Sequence, residues 1–177
     1  MAISGVVFHT IPQMRCGWHL ISRKCYTIQM PQISTHAPIG DLTISIEDNV
    51  IVSLDWGWAK EQNSNTLLQD AKSQLDDYFD GFRKTFDLPL EPIGTEFQQH
   101  VWSMMEQIPY GETITYGELA NAIDSSARAV GMACGANPIP VIIPCHRVVA
   151  ATNIGGYSGD GGVETKKALL HLERALL

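Results

Sequence analysis

A cysteine followed directly by a histidine closes the run Pro138-Ile139-Pro140-Val141-Ile142-Ile143-Pro144-Cys145-His146-Arg147-Val148-Val149. A thiol attacks carbon as its thiolate, and burial among Ile142, Ile143 and Val148 would raise its pKa and oppose ionisation. A base or a cation must therefore stand close. His146 is the nearest candidate, although sequence neighbours in extended chain point to opposite sides, so contact needs a turn or a bridging water. Oriented by a carboxylate, that histidine completes a Cys-His-Glu relay of the kind that activates nucleophiles. The alternative is that His146 caps backbone and Glu173 is solvated. A lone cysteine is more often a small core hydrophobe, so the elements around the run must decide.

The prolines forbid a helix interior and limit ladder pairing, which predicts an extended strut held by its surroundings. Upstream, two short helices are predicted. Thr115 with Glu118 forms a capping box before Leu119, Ala122 and Ile123; Asp124-Ser125 breaks the helix, and Ser126 to Gly135 forms the next, with Ala127, Val130, Gly131 and Cys134 small or apolar at helical spacing. This pair has the form of a helix-turn-helix whose second helix carries the single cation Arg128. That helix runs through Asn137-Pro138 straight into the strut, so nucleic-acid contact and a reactive thiol would share one short piece of chain. An earlier capping box, Thr95 with Gln98, opens a helix ended by Pro109-Tyr110-Gly111. The glycine-rich stretch Gly155 to Gly162 lacks the Gly-Lys-Ser/Thr ending of a phosphate loop. A last helix is predicted from about Val163 to Leu176, with Leu169, Leu172 and Leu176 inward.

The N-terminal half carries no such chemistry. Leu42, Ile44 and Ile46 alternate with Thr43, Ser45 and Glu47, and Asp48-Asn49 turns the chain into Val50 to Asp55, which predicts a hairpin with one buried face. Thr66 to Asp80 reads as a helix with Gly81 as its C-cap, and Trp56 and Trp58 read as core. The proline-punctuated connector 86–94 marks the domain boundary. Residues 1–40 hold Arg15, Arg23 and Lys24 and no acid. Residues 1–35 read as a weakly ordered extension, with Met30 as an alternative start. Cys16, His19, Cys25 and His36 match no strong zinc pattern.

With 177 residues, 45% of them hydrophobic, the chain can bury a sizeable core. No apolar run approaches the roughly 18 residues of a membrane span. Four cysteines without regular spacing do not make a disulfide framework. The formal charge of −7 opposes a phosphate-rich partner, and residues 94–177 hold five basic residues against eight acidic ones. Backbone amides and helix N-termini must then supply phosphate contacts, with modest affinity and few counterions released.

Residues 94–177 contain the segments Gly94-Thr95-Glu96-Phe97-Gln98-Gln99, Ile108-Pro109-Tyr110-Gly111-Glu112-Thr113, Thr115-Tyr116-Gly117-Glu118-Leu119-Ala120, Ala127-Arg128-Ala129-Val130-Gly131, Asn137-Pro138, Pro144-Cys145-His146-Arg147-Val148 and Gly156-Tyr157-Ser158-Gly159. Together they resemble the catalytic domain of the O6-alkylguanine-DNA alkyltransferases. The hairpin after His36-Ala37-Pro38-Ile39-Gly40 is similar to the family's N-terminal domain. The resemblance implies an α+β chain: a small ribonuclease-H-like α/β domain at 36–93, then a mostly helical, winged-helix-like domain at 94–177.

It also implies stoichiometric transfer of an alkyl group from O6-methylguanine, and less efficiently O4-methylthymine, to Cys145, after minor-groove binding and nucleotide flipping. Carried over by position, Glu173, His146 and a water activate Cys145, and Asn137 braces the turn between recognition helix and active site. Tyr116 gives a proton or hydrogen bond to the base, the Ser158 amide contacts O6, and the carbonyls of Cys145 and Val148 read the exocyclic amine. Arg128 fills the vacated stack, on a DNA-binding helix that includes Ala127 and Gly131. No cofactor or metal is expected. The expected partner is double-stranded DNA containing O6-alkylguanine, bound by a monomer in the cytoplasm, nucleoid or nucleus, with no membrane partner. Two departures stand out: Cys134-Gly135-Ala136 lacks the basic residue frequent in relatives, and Asp160-Gly161-Gly162 looks inserted. The competing readings are a helix-turn-helix protein without chemistry and a cysteine hydrolase that turns over repeatedly.

Overall fold

A computed structural model describes residues 30–175. The expectations for the first 29 residues, including Cys16, His19 and Cys25, and for Leu176 lie outside them. Three antiparallel strands open the described chain: β1 (Gln32–Thr35), β2 (Leu42–Glu47) and β3 (Val50–Trp56), in the order β1-β2-β3. The β2–β3 turn is tight because Asp48 and Asn49 both take positive φ, 46° and 65°, which short polar side chains tolerate. β1 occupies residues assigned on sequence to the extension. Its Ile33 pairs with Ile44 and its Thr35 with Leu42, so the sheet begins at Gln32.

The hairpin also differs from the expected one-sided burial. Ser34, Thr43 and Ser45 on the polar face are buried too, because the chain after β3 folds over them: Ser34 Oγ lies 2.9 Å from Thr43 Oγ1 and accepts from the Ala59 amide at 3.0 Å. Trp58 is not core. It is 48% exposed and stacks on His36, whose Nδ1 meets Asp41 at 2.6 Å.

Helix α1 (Thr66–Phe79) is capped by Asn65, and it ends in a Schellman turn. Gly81 has φ 78°, its amide donates to the Tyr78 carbonyl, and the Phe82 amide donates to the Asp77 carbonyl. The buried stripe Leu68, Ala71, Leu75 and Tyr78 lies at helical spacing. The proline-rich connector then pairs with the sheet, since the Ile51 amide donates to the Pro89 carbonyl at 2.8 Å.

Beyond the connector the chain is mostly helical: α2 (Glu96–Glu106), α3 (Tyr116–Ala122), α4 (Ala127–Gly135) and α5 (Val163–Leu172). Thr95/Gln98 and Thr115/Glu118 both form full capping boxes, as the spacing predicts. Two-residue strands β4 (Ile114–Thr115) and β5 (Val148–Val149) pair in parallel and tie the chain after Cys145 to the start of α3. Trp102 of α2 is buried and donates from Nε1 to the Ala133 carbonyl at 2.9 Å, fixing α4 from behind. One continuous apolar core runs from Leu42 and Ile44 through Tyr78, Trp102 and Val130 to Cys145. Helix α5 stops at Leu172, earlier than its leucine spacing suggests, because Glu173 turns into the core and Arg174 adopts φ 58°.

Candidate active site

The strut before Cys145 is folded, not extended. Val141 has φ 72°, and the Ile142 amide donates to the Pro140 carbonyl at 2.9 Å, which closes a three-residue turn of the rare positive-φ hand. A second three-residue turn, of the common negative-φ hand, follows around Pro144 (φ −83°, ψ 64°), where the Cys145 amide donates to the Ile143 carbonyl. Positive φ at a β-branched residue is strained and persists only where surroundings over-determine it. Here they do. Asn137 Nδ2 donates to the Ile143 carbonyl at 2.8 Å, Asn137 Oδ1 accepts from the Ile139 amide at 3.0 Å, and the Leu54 amide of β3 donates to the Pro138 carbonyl. The expectation of extension failed because proline restricts helix and ladder, and short turns satisfy that restriction equally well.

Cys145, His146 and Arg147 form a 3-10 turn, and all three are buried. His146 Nε2 meets Glu173 Oε1 at 2.9 Å. Arg147 grips the same carboxylate through Nε (to Oε2, 2.9 Å) and Nη2 (to Oε1, 2.8 Å), while its Nη1 donates to the Ile108 carbonyl. The Gly111 amide donates to Oε2 at 3.2 Å and the Tyr78 hydroxyl to Oε1 at 2.7 Å. Gly111 has φ 81° and packs against the Glu173 backbone, a conformation that favours glycine. Burial by itself pushes the Glu173 carboxyl up, but the hydrogen bonds from His146 and Arg147, the His146 charge and Tyr78 together hold it at about 2. Burial, the largest effect, lowers the pKa of His146 against the pull of Glu173, which favours the neutral imidazole. Its Nδ1 is buried without a protein partner, and no hydrogen bond joins His146 to the thiol among the described residues.

Burial raises the Cys145 pKa; the Asn137 carboxamide, the Lys166 ammonium and the Tyr157 hydroxyl act in the opposite direction. Lys166 is fully buried. It donates to the Val148 carbonyl at 2.6 Å and the Gly156 carbonyl at 3.1 Å, and its ammonium lies 5.6 Å from the Tyr116 ring centroid. The Val148 carbonyl, expected to read the base, thus already serves Lys166, and the Cys145 carbonyl accepts from the Val148 amide. Each keeps a second lone pair.

Cys145 opens into a cavity of about 250 Å3 shared with Tyr116, with Gly131, Cys134 and Gly135 of α4, and with the loop Gly156 to Ser158. Burial and the two neighbouring thiols push the Tyr116 hydroxyl up to about 12, so it stays protonated and can donate. The loop is tightly set: a Cβ on Gly159 would collide with the rings of Tyr157 and Trp56. Outside the cavity, Ala127 and Arg128 are exposed at the start of α4, and Arg128 makes no ion pair among the described residues. Met132, one turn further, is 71% exposed.

The fold therefore brings Cys145, Tyr116, Ser158 and Gly131 to one cavity, joins His146 to Glu173 and sets Asn137 across the strut. Arg128 and Ala127 stand on the outer face of the helix that walls the cavity. Lys166, Arg147 and Tyr78 were not singled out on sequence. Lys166 had a signal: it falls on the stripe of Leu169, Leu170 and Glu173, an unpaired cation on an apolar face. Among the described residues, no group of three or more His, Cys, Asp or Glu could hold a metal ion, and no helix is long and apolar enough to cross a membrane.

Two family models match consecutive parts of the chain: the ribonuclease-like domain of 6-O-methylguanine DNA methyltransferase over residues 32–92, and its DNA binding domain over residues 96–175. The constitutive methylated-DNA--protein-cysteine methyltransferase of Bacillus subtilis is 43% identical over 155 residues, covering 80% of this chain and 93% of that protein. A methylated-DNA--protein-cysteine methyltransferase from Metallosphaera sedula is 40% identical over 144 residues, covering 80% and 91%. Among solved structures, Mycobacterium tuberculosis OGT in complex with DNA superposes with a TM-score of 0.71 at 43% identity, covering 81% of this chain and 92% of that one. An O6-methylguanine DNA methyltransferase from Methanococcus jannaschii gives 0.60 at 29% identity, covering 82% and 95%.

Proposed function

This chain belongs to the 6-O-methylguanine DNA methyltransferase family, and from that membership we propose that it repairs O6-alkylguanine in double-stranded DNA by moving the alkyl group onto Cys145, once per protein molecule. The observation that carries the reading is a single cavity lined by the nucleophile, by a tyrosine able to donate, and by the inner face of the helix whose outer face bears Arg128. A base still in the stack cannot reach that cavity, so the damaged nucleotide has to be turned out of the duplex. Arg128 takes its place, and small residues, Ala127 at the exposed start of α4 and Gly131 on its cavity side, let the backbone of α4 approach the minor groove.

The thiol proton leaves through a water to His146 Nδ1, and Glu173 supports the imidazolium that forms. Sulfur attacks the alkyl carbon, the carbon–O6 bond breaks, and its electron pair returns to the base, which takes a proton or hydrogen bond from Tyr116. Lys166 favours the thiolate before attack. The products are S-alkylcysteine and an intact guanine. Asn137 holds the turn, the Ser158 amide meets O6, and the carbonyls of Cys145 and Val148 meet the exocyclic amine. In this account a ribonuclease-like domain ending at residue 93 supports a catalytic domain from residue 94. The protein acts as a monomer, with no membrane partner, in the cytoplasm or wherever the genome lies.

The test follows O6-methylguanine remaining in a duplex. Cys145→Ala should bind that duplex and remove none of the lesion. Arg128→Ala should remove it at least about tenfold more slowly while reacting normally with the free alkylated base. Equal loss toward duplex and free base would contradict the role given to Arg128.

A further inference from the structure

The Glu173 carboxylate is completed from outside its own domain. Tyr78 lies at the end of α1, 95 residues away in sequence, and its hydroxyl donates to Oε1 at 2.7 Å, the same oxygen that His146 Nε2 meets at 2.9 Å. We propose that Tyr78 is a positioning residue for the Cys145 relay: its hydroxyl fixes Oε1 toward His146 and draws off carboxylate charge, so that the N-terminal domain sets the basicity of the imidazole. The proposal rests on the relay assigned above to Cys145, His146 and Glu173.

The geometry leaves little freedom for another explanation of this bond. Tyr78 is fully buried, and its ring is held by Phe79, Phe86 and Tyr110 at centroid distances of 5.2, 5.3 and 6.1 Å. A buried tyrosine held only for packing needs no charged acceptor, and phenylalanine would fill the same space. The hydroxyl is aimed instead at the one carboxylate that orients the imidazole. The groups facing Glu173 are Tyr78 from α1, His146 and Arg147 from the 3-10 turn, the Gly111 amide from the loop after α2, and more remotely Tyr110. Arg174 follows it in the chain, and Lys166 faces His146. His146 and Arg147 both come from the 3-10 turn, so the side-chain donor to this carboxylate that comes from the N-terminal part of the chain is Tyr78.

Removing that donor concentrates charge on Oε1, strengthens its hold on the imidazolium and raises the pH at which His146 becomes a free base. It also frees Oε1 to turn. In the full chain, Tyr78→Phe should therefore lower the plateau rate of methyl transfer about tenfold, the scale of one charge-assisted hydrogen bond. The acidic limb of the pH–rate profile should move upward by about half a unit or more. Phe86→Leu perturbs the same ring cluster without touching the hydrogen bond, and its profile should keep the parent's midpoint. Alkylation of Cys145 by iodoacetamide, followed over the same pH range, reads the relay without DNA. An upward shift there supports the positioning role even if no methyl transfer occurs in the parent protein, an outcome that would count against the proposed function alone. An unchanged midpoint in Tyr78→Phe, or an equal shift in Phe86→Leu, overturns the proposal.

Discussion

Replacing Asn137 by Ala removes two hydrogen bonds at the point where the strut is most strained. The side chain donates to the Ile143 carbonyl at 2.8 Å and accepts from the Ile139 amide at 3.0 Å. Ile139 and Ile143 are both fully buried, so water does not readily replace either partner. The Ile139 amide is left without a partner, which costs about 1–3 kcal/mol, whereas the Ile143 carbonyl keeps its bond from the Cys145 amide and loses only about 1 kcal/mol. Against that, the same bonds hold Val141 at φ 72°, a conformation that costs about 1–3 kcal/mol and is partly relieved when the turn relaxes. The net loss is about 1–3 kcal/mol, which lowers Tm by roughly 3–10 °C in a chain of this size. Relaxation also moves Cys145, four residues beyond Val141, and a displacement near 1 Å slows transfer about 100-fold. Thermal melts and single-turnover transfer assays on the same preparations measure both effects. Asn137→Asp keeps the acceptor for Ile139 but sets a carboxylate oxygen against the Ile143 carbonyl, so it should be at least as damaging. An Asn137→Ala protein melting within about 2 °C of the parent and transferring at its rate would refute the claim that this side chain holds the nucleophile in place.

Acid sensitivity should come in two stages. His146 has its pKa lowered by burial from an ordinary 6.5, so the unfolded chain takes up that proton first and stability begins to fall as pH drops below 6.5. Glu173 is held at about 2 against an ordinary 4.5; the stability it lends, roughly 3 kcal/mol, is complete above 4.5 and is lost as pH falls from there toward 2. Urea midpoints measured from pH 7.5 downward check this, and a midpoint independent of pH would contradict it. Salt should matter little for DNA affinity. Of the five cations in residues 94–177, Arg147 and Lys166 are buried and engaged, leaving Arg128, Lys167 and Arg174 exposed. With at most three phosphates neutralised, log Kobs should fall with log salt at a slope no steeper than about −3. Titrations at several salt concentrations test it, and a slope near −6 would require a basic surface elsewhere.

What the sequence revealed depended on whether the signal was local. Capping boxes at Thr95 and Thr115, the Asp48-Asn49 turn and the Gly81 cap act within a few residues, and each stands where its spacing predicts. The thiol's place in the site came from the resemblance around Cys145. Other features belong to the tertiary structure. The turns of the strut require Asn137, Leu54 and Val141 to meet, and nothing in a run of prolines and β-branched residues distinguishes such turns from an extended segment. The coordination of Glu173 draws donors from three separate stretches of chain: Tyr78, Gly111, and the adjacent His146 and Arg147. Charge counting does not distinguish Arg147 and Lys166 from surface cations. Their burial follows from packing against Glu173 and the carbonyls of Val148 and Gly156. β1 was missed because a four-residue strand with a polar start carries almost no periodic signal.

The central claim is that Cys145 is a single-use acceptor. Intact, reduced protein incubated with an excess of duplex containing O6-methylguanine should gain one methyl group per molecule, located by peptide mass on Cys145, and then stop consuming the lesion. An unmodified Cys145 peptide after the lesion has been bound, or continued removal of the lesion beyond one equivalent, would contradict it.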